Sequence, residues 1–591
     1  MLNASTAFKN SIVQPIRNRG YIKVTIGIIA LDAQENAVIE DSNAYPILYY
    51  SDSETPFRGT PIDGEYATAE HEFSRVDGSR FFAPETGTTY IRNNGALSDN
   101  VMGGIYVKLT DAQEGYNISG LSIDFGPVYP TSFTILTDNE TYTETNNNRF
   151  YESDLSFVDA TYMIIVPLQM VGRSRNRLRI YSMKFGKALT FGNEDVIQFN
   201  SKEYVSPICD SVPSYDMTLT VSNVDNKFDV DDDYNVMSFM NIGQEVTVQH
   251  GYDVSGNGTI EWLDPYVSYL ATWDANNKEA TFTSHDKFAI ETKKFILSGD
   301  SIYDGNHNMG QGATAIANQA YGGALDFSSP TLDDYIFQNP LPNNTYPSLL
   351  QMIANATKSI MRIETNGVLG ILDSDATTDY TIALDHINGN IVAKKTSKIQ
   401  SINVSTTLYT KNTGATAEDV STTDIYVSTT DGYAGEFTFD DCFSDWAVTC
   451  EDSNVTASII DSNPRYVSVV AIRNSGAAGT TKLTISGKKY AKSTSSVSVQ
   501  LNDSGDNINW DNPLISNATV ANSVANWLAD YYRSEIEYEL NWRGDPRIEA
   551  GDVVTLQRQN KTDVQIRIVQ NEFSFNGAWS GHILGRRVDD G

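Results

Sequence analysis

The segment Asp253-Val254-Ser255-Gly256-Asn257-Gly258-Thr259-Ile260-Glu261-Trp262-Leu263-Asp264 carries the most chemically suggestive spacing in the chain. Oxygen donors stand at loop positions 1, 3, 5 and 12 (Asp253, Ser255, Asn257, Asp264), glycine at 6 and isoleucine at 8, the spacing of a calcium-binding loop. Position 12 is Asp where a bidentate Glu is expected, and the flanks alternate as strands instead of forming helices. Gly256-Asn257-Gly258 is equally the tip of a β-hairpin. The acidic run Asp225-Asn226-Lys227-Phe228-Asp229-Val230-Asp231-Asp232-Asp233 reads as a solvated loop that also has the groups to collect cations. No cofactor is expected. Neither are catalytic residues: there is no His-Glu-x-x-His, no Gly-x-Ser-x-Gly and no phosphate-cradling glycine loop. His71, His250, His285, His307, His386 and His582 are scattered, and none neighbours a cysteine. With 75 acidic residues some carboxylate pair always lies at a workable separation, so glycosidase chemistry is neither indicated nor removed.

The elements that must position such residues follow from composition. The 591 residues exceed one core, so several domains are expected. Thirty-two tyrosines among many Thr, Ser, Asn and Gly favour strands and turns. A net charge of −33 repels nucleic acid and anionic membranes. Cys209, Cys442 and Cys450 are too few for a disulfide framework, which fits folding in a reducing cytoplasm. No secretory signal opens the sequence, and no run of about 18 apolar residues offers a membrane span.

A short helix is expected within 1–13 and a strand over Tyr21–Leu31; Ser51–Gly59 is a turn-rich domain edge. From 61 to 186 the texture is long strands between loops, with Leu121, Ile123 and Phe125 alternating. This suggests a jelly-roll sandwich. Its loops gather residues suited to sugars: Tyr142, Asn146, Asn147, Asn148, Arg149, Tyr151, Arg173 and Arg175. Those loops equally suit a neighbouring protein, or packing on themselves. Beyond 187, strands are expected at 211–221, 243–251, 266–273 and 280–286. An amphipathic helix over Pro347–Ala356, with Ser348 near its start, precedes a hairpin at Thr365-Asn366-Gly367. Thr/Ser-rich strands over 415–500 indicate an immunoglobulin-like insert, and a helix spans Val520–Arg533.

The chain closes on Asn541-Trp542-Arg543-Gly544-Asp545-Pro546-Arg547-Ile548-Glu549-Ala550-Gly551-Asp552-Val553-Val554. Gly544 to Pro546 and Ala550 to Asp552 are turns, the second launching a strand. Helix, Trp-Arg-Gly-Asp-Pro, Ala-Gly-Asp-Val-Val and a glycine-rich finish through Gly577, Gly581 and Gly585 together resemble the C-terminal domain of phage tail hub proteins. A second match lies earlier: strand 211–221 leading to Asn226-Lys227-Phe228-Asp229, Gly243-Gln244-x-Val246, a hairpin, then Ala280-x-Phe282-Thr283-x-x-Asp286, in the order solitary strand, Asn-x-x-x-x-Phe, Gly-Gln-x-Val, hairpin, Ala-x-Phe-Thr-x-x-Asp, resembles the first hub barrel.

The resemblance implies a mainly β, multidomain fold: a first hub β-barrel from 1–60 and 187–290, and a jelly-roll insert of discoidin or galactose-binding type at 61–186. A middle α+β domain at 291–414, an immunoglobulin-like insert at 415–500 and a C-terminal hub β-barrel at 501–591 complete it. Trp542, Arg543, Gly544, Asp545, Pro546, Gly551 and Asp552 are its structural motif. It further implies a non-enzymatic virion tail protein, assembled in the bacterial host cytoplasm. Such a protein forms a homotrimeric ring between the distal tail tube and tip or spike proteins, and DNA passes through without sequence-specific binding. A host-surface glycan would bind through 61–186. The competing readings are an exported multimodular glycan-binding or glycan-cleaving protein, and a tail-associated lysin.

Overall fold

Apolar residues at every second position build the largest element of the molecule. In Ser214–Ser222, Tyr215, Met217, Leu219 and Val221 are buried while their neighbours face outward, the period of a strand with one face on a core. The computed structural model describes residues 1–40, 66–67, 81–82, 104–112, 114–172, 178, 180, 182–224, 228, 240–290, 307–321, 326–367, 369–374 and 380–588. Among these the protein is mainly β, in eight sheets.

Fourteen strands form the main sheet: β1 (Gly20–Ile29), β2 (Gly186–Phe191), β3 (Val196–Tyr204), β4 (Ser214–Ser222), β5 (Glu245–Asp253), β6 (Ile260–Trp262), β7 (Tyr266–Ala275), β8 (Glu279–His285), β9 (Thr381–Ile382), β10 (Ile387–Lys395), β11 (Ile536–Trp542), β12 (Val553–Leu556), β13 (Val564–Phe575) and β14 (Trp579–Arg587). Their order is β2-β1-β5-β7-β8-β4-β3-β13-β14-β11-β10, with β6 on β5, β12 on β13 and β9 on β12.

One arrangement occurs twice in that path. The order β5-β7-β8-β4-β3 is matched by β12-β13-β14-β11-β10, every neighbouring pair antiparallel. Each hairpin, β7-β8 and β13-β14, carries a bulge in its first strand, between Leu270 and Thr272 or between Ile568 and Gln570. Each bulge is hooked by a glycine turn. Gly243 N–H donates to Leu270 O (2.8 Å) and Leu270 N–H to Gln244 O (2.8 Å); Gly551 N–H donates to Ile568 O (2.7 Å) and Ile568 N–H to Asp552 O (2.9 Å). The two glycines have φ of +90° and +93°, where an L side chain is strained.

The expectation of two β-barrels is corrected in one respect. Among the described residues no pairing closes either run of strands into a cylinder, and both runs belong to one sheet. The reason is that one edge of β13 is shared. Its first half pairs with β12, and its second half, past the bulge, pairs with β3 from the other module. The sheet still curls around its core: Phe191 of β2 and Phe282 of β8 lie 6.0 Å apart.

Two further sandwiches hang from this sheet. Strands Val38–Glu40, Ile105–Lys108, Tyr162–Met170, Pro130–Leu136 and Thr141–Thr145 face Ser182–Lys184, Tyr116–Asp124 and Phe150–Ala160 across a separate core containing Phe125, Phe133 and Phe157. The strand Val38–Glu40 lies in this sandwich, upstream of residue 61. Glu418–Val427, Gly479–Lys489 and Phe443–Cys450 face Tyr433–Thr438, Tyr466–Arg473 and Val455–Asn463 around Val427, Val467, Val469 and Leu483. Between the modules, helices Met309–Tyr321 and Tyr346–Ala356 accompany a hairpin turned at Gly367 (φ +75°). Helix Ala518–Arg533 is capped by Asn517, whose Oδ1 accepts from Val520 N–H. The expected domain edge at 51–59 and the acidic run, Phe228 apart, lie outside the described residues.

A Cβ on Gly243 would meet nothing within 4 Å and one on Gly551 only Val205, at 3.6 Å. Substitution there tests the backbone alone. Gly243→Ala and Gly551→Ala should each cost about 1–2 kcal/mol in denaturant unfolding; a neutral result would show that the matching hooks do not need the left-handed conformation.

Candidate functional site: the seam between the modules

The two modules meet where β3 lies antiparallel on the second half of β13, from Phe199 opposite Phe575 to Tyr204 opposite Gln570. Phe199, Phe573 and Phe575 are buried there, each contributing roughly 1.5–3 kcal/mol by leaving water. His250 of β5 sits edge-on to Phe573 (4.6 Å) and Phe199 (5.8 Å). Trp579 of β14 stacks on Tyr252 of β5 (5.6 Å) and covers Gly20, where a Cβ would come within 2.5 Å of the indole. Only glycine admits that ring. Polar pairs line the outer face: Ser574 Oγ donates to Asn200 Oδ1 (2.9 Å), and Lys202 Nζ lies 4.0 Å from Glu572 Oε1. Burial lowers the pKa of His250 to about 3, so the seam carries no imidazolium at neutral pH.

The Trp542–Asp552 segment locks this seam from one end. Trp542 is buried, edge-on to Tyr380 at 6.3 Å, and Gly581 lets its indole approach the β14 backbone. Arg543 Nη1 donates to Gln14 O (2.8 Å), while its Nη2 reaches His386. Gly544 turns the chain at φ +69°, and Arg17 donates to its carbonyl and to that of Arg543 (2.9 Å). Burial and the neighbouring Arg543 lower the pKa of Arg17 to about 10. Asp545 and Arg547 form a buried two-pronged pair (2.7 and 3.0 Å), with Pro546 enclosed between them and the Arg547 guanidinium 5.6 Å above the Phe8 ring. The segment therefore grips the N-terminal helix Thr6–Ile12 and the loop after it.

Past Ile548 the same segment gathers buried charge. Asp552 Oδ2 accepts from Glu549 N–H (3.0 Å), and both carboxylates lie 3.7 Å from Arg362 Nη1 and 2.8 Å from the Met1 α-amino group. Arg362 also pairs with Glu364 (3.1 Å). From the first module, Glu203 of β3 is half-buried but turns its Oε2 inward, where Ala550 N–H donates to it (2.8 Å). Burial, with Glu549 close by, pushes Glu203 up to about 8. Burial likewise raises the pKa of Glu549, against the pull of Arg362. Chemically this is a cross-brace of ion pairs, with no nucleophile beside a base.

The calcium-type loop is a hairpin tip between β5 and β6. Asp253 Oδ1 accepts from Ser255 (3.3 Å) and Gly256 (2.8 Å) N–H and its Oδ2 from Gly258 N–H (3.0 Å). Ser255 and Asn257 bond to each other, Asp264 is exposed, and Glu261 accepts from Ser5 N–H (2.7 Å) at the start of the N-terminal helix. Among the described residues no group of three or more His, Cys, Asp or Glu is placed to hold a metal. Of the sugar candidates, Asn146, Asn147, Asn148 and Tyr151 come together with exposed Phe150 around a shallow concavity of about 700 Å³. Tyr142 packs instead on Phe157, and Arg149 is held by Asp124 (2.6 Å). Arg173 and Arg175 lie outside the described residues. Glu203, Arg362, His250 and Trp579 escaped sequence reasoning. The one available signal was a charged residue in an otherwise apolar strand, as in Ile360-Met361-Arg362-Ile363.

No family model matches the chain, and no curated protein matches it. Solved structures similar to it include the 43 kDa tail protein of prophage MuSo2 from Shewanella oneidensis (11% identity, 67% of this chain and 94% of that one, TM-score 0.36). Others are a tail protein from Neisseria meningitidis (9%, 67% and 93%, 0.38) and prophage tail protein gp18 from Listeria monocytogenes (10%, 69% and 91%, 0.34).

The junction sets a pH dependence. Glu203 has a folded pKa above its unfolded one, so the native state binds more protons between pH 4.5 and about 8. Its stabilisation is complete below pH 4.5 and lost as pH rises through 8. The melting temperature should therefore fall from pH 6 to 9, and Glu203→Gln should flatten that fall in a thermal melt series; an equal slope in both proteins would rule the group out.

Proposed function

We propose that this protein is the hub of a phage tail or a related contractile particle, a non-enzymatic virion structural protein. Three copies would form a ring joining the distal tube to tip or spike proteins around a channel for DNA. The observation that carries this reading is the duplicated module. A ring continuing a sixfold tube from three chains needs two like modules per chain, held side by side at a fixed angle. Here matching five-strand arrangements, one within residues 196–285 and one within 387–587, share one sheet through β3 and β13. The order of motifs along the chain supports the same family, and a net charge of −33 per copy suits a lumen to which DNA does not adhere. A host-surface glycan is the proposed ligand of the concavity beside Phe150.

Sedimentation or native mass measurement of the purified chain should give about 196 kDa, three times 65.2 kDa. The trimer should co-sediment with host cell walls through Phe150, without reducing their turbidity. A monomer at all concentrations contradicts the ring, and a loss of turbidity favours the lysin reading.

A further inference from the structure

The sandwich built around Phe125, Phe133 and Phe157 holds acidic and hydroxyl groups that its own chain leaves unanswered. Strand Thr141–Thr145 is the edge of one of its sheets, and Phe150–Ala160 is the edge of the sheet that faces it. Two bonds tie these edges together: Tyr142 Oη donates to Ser156 O (3.0 Å), and Glu140 Oε1 accepts from Val158 N–H (3.1 Å). Burial alternates along Thr141–Thr145, with Tyr142 and Glu144 turned inward and the three threonines outward. Glu144 thus takes a core-side position, where an apolar residue is the rule, and among the described residues no cation pairs with it. Tyr151 of the facing edge is 5% exposed, and neither its hydroxyl nor Ser153 Oγ has a hydrogen-bond partner. Burial raises the pKa of Tyr151, Ser153 pulls it back and the Glu144 carboxylate raises it again. The three side chains therefore converge, and Glu144 and Tyr151 both line the concavity beside Phe150.

We infer that this concavity takes a hexosamine whose amino group is free, its ammonium set between Glu144 and the hydroxyls of Tyr151 and Ser153. This rests on the glycan reading of the preceding subsection. An ammonium offers three N–H donors and no acceptor, which answers a carboxylate and two unpaired oxygens at once, where a sugar hydroxyl brings a single donor. Charge points the same way. Among the described residues Glu144 and Glu152 line the concavity and no lysine or arginine does, while nearby Arg149 is taken by both oxygens of Asp124 (2.6 and 2.7 Å). Phosphates and uronic acids are thereby repelled. Among the described residues no third acid, histidine or cysteine joins the two carboxylates, so a bare metal ion lacks its ligands. Phe150, 60% exposed, gives a pyranose ring a flat apolar face. The loop beside it is held in shape beforehand: Asn146 Nδ2 donates to Asn148 O (2.6 Å), and Phe150 N–H donates to Asn148 Oδ1 (2.6 Å).

Titration calorimetry of the purified full chain with glucosamine trimer, its N-acetylated counterpart and trilysine tests the assignment. The free-amine trimer should bind more tightly than the N-acetylated one. Glu144→Gln should weaken the free-amine trimer about ten- to a hundredfold and leave the N-acetylated trimer unchanged. Tyr151→Phe should weaken it without lowering the melting temperature. Because a net charge of −33 attracts any polyamine, Phe150→Ala is the second arm: it alters no charge, so it should weaken the glucosamine trimer and spare trilysine. Binding that Phe150→Ala does not touch belongs to surface charge and overturns the site. An N-acetylated trimer that binds as tightly as the free amine, or a Glu144→Gln variant that binds the amine undiminished, overturns the ammonium and leaves the glycan reading standing. A wild type that binds neither trimer overturns the assignment, and one that also fails to sediment with host cell walls overturns the glycan reading with it.

Discussion

The register in which β3 lies on the second half of β13 governs the architecture. It is possible because β13 bulges between Ile568 and Gln570, so that its first half stays with β12 and its second half is free to leave the module. Backbone hydrogen bonds alone would leave such a contact marginal against the entropy of ordering two strands. The aromatic cluster of Phe199, His250, Phe573, Phe575 and Trp579 makes it one core with the first module. Burial keeps the imidazole neutral within that cluster, which avoids placing an unpaired charge in an apolar contact.

The Trp542–Asp552 segment gives that seam its direction. Its first half grips the N-terminal helix and loop through Arg543, Arg17 and the Asp545–Arg547 pair; its second half draws Glu203, Arg362 and Asp552 together behind β3. Buried ion pairs of this sort add little net stability, because desolvation offsets most of their attraction. What they supply is a single allowed arrangement: removing any one partner strands another charge.

Single elements could be read from the residues, whereas their equivalence could not. The alternation in Ser214–Ser222, the helix expected over Val520–Arg533 and the Asn366-Gly367 turn each carry a local period or backbone demand, and each formed as expected. Gly243-Gln244-Glu245-Val246-Thr247-Val248 and Gly551-Asp552-Val553-Val554-Thr555-Leu556 were assigned to two barrels only through the resemblance, since the residues themselves show no more than a turn opening a strand. The hairpins that follow them share a bulge and a partner order but almost no residues, since a curled sheet asks only that apolar side chains alternate. The barrels expected from the resemblance emerged as open runs in one sheet, because strand pairing across modules is a long-range choice that no local period encodes. Glu203, Arg362 and His250 were equally hidden, as a charged or polar residue in a strand usually faces water.

Native-state hydrogen exchange of the purified protein tests the seam most directly. The account predicts that amides of Phe199–Tyr204 and Gln570–Phe575 exchange only through global unfolding, with the same opening free energy as Leu219 inside the first module. Seam amides that open well below that free energy, while each module stays protected, would contradict it, since the two modules would then be held independently.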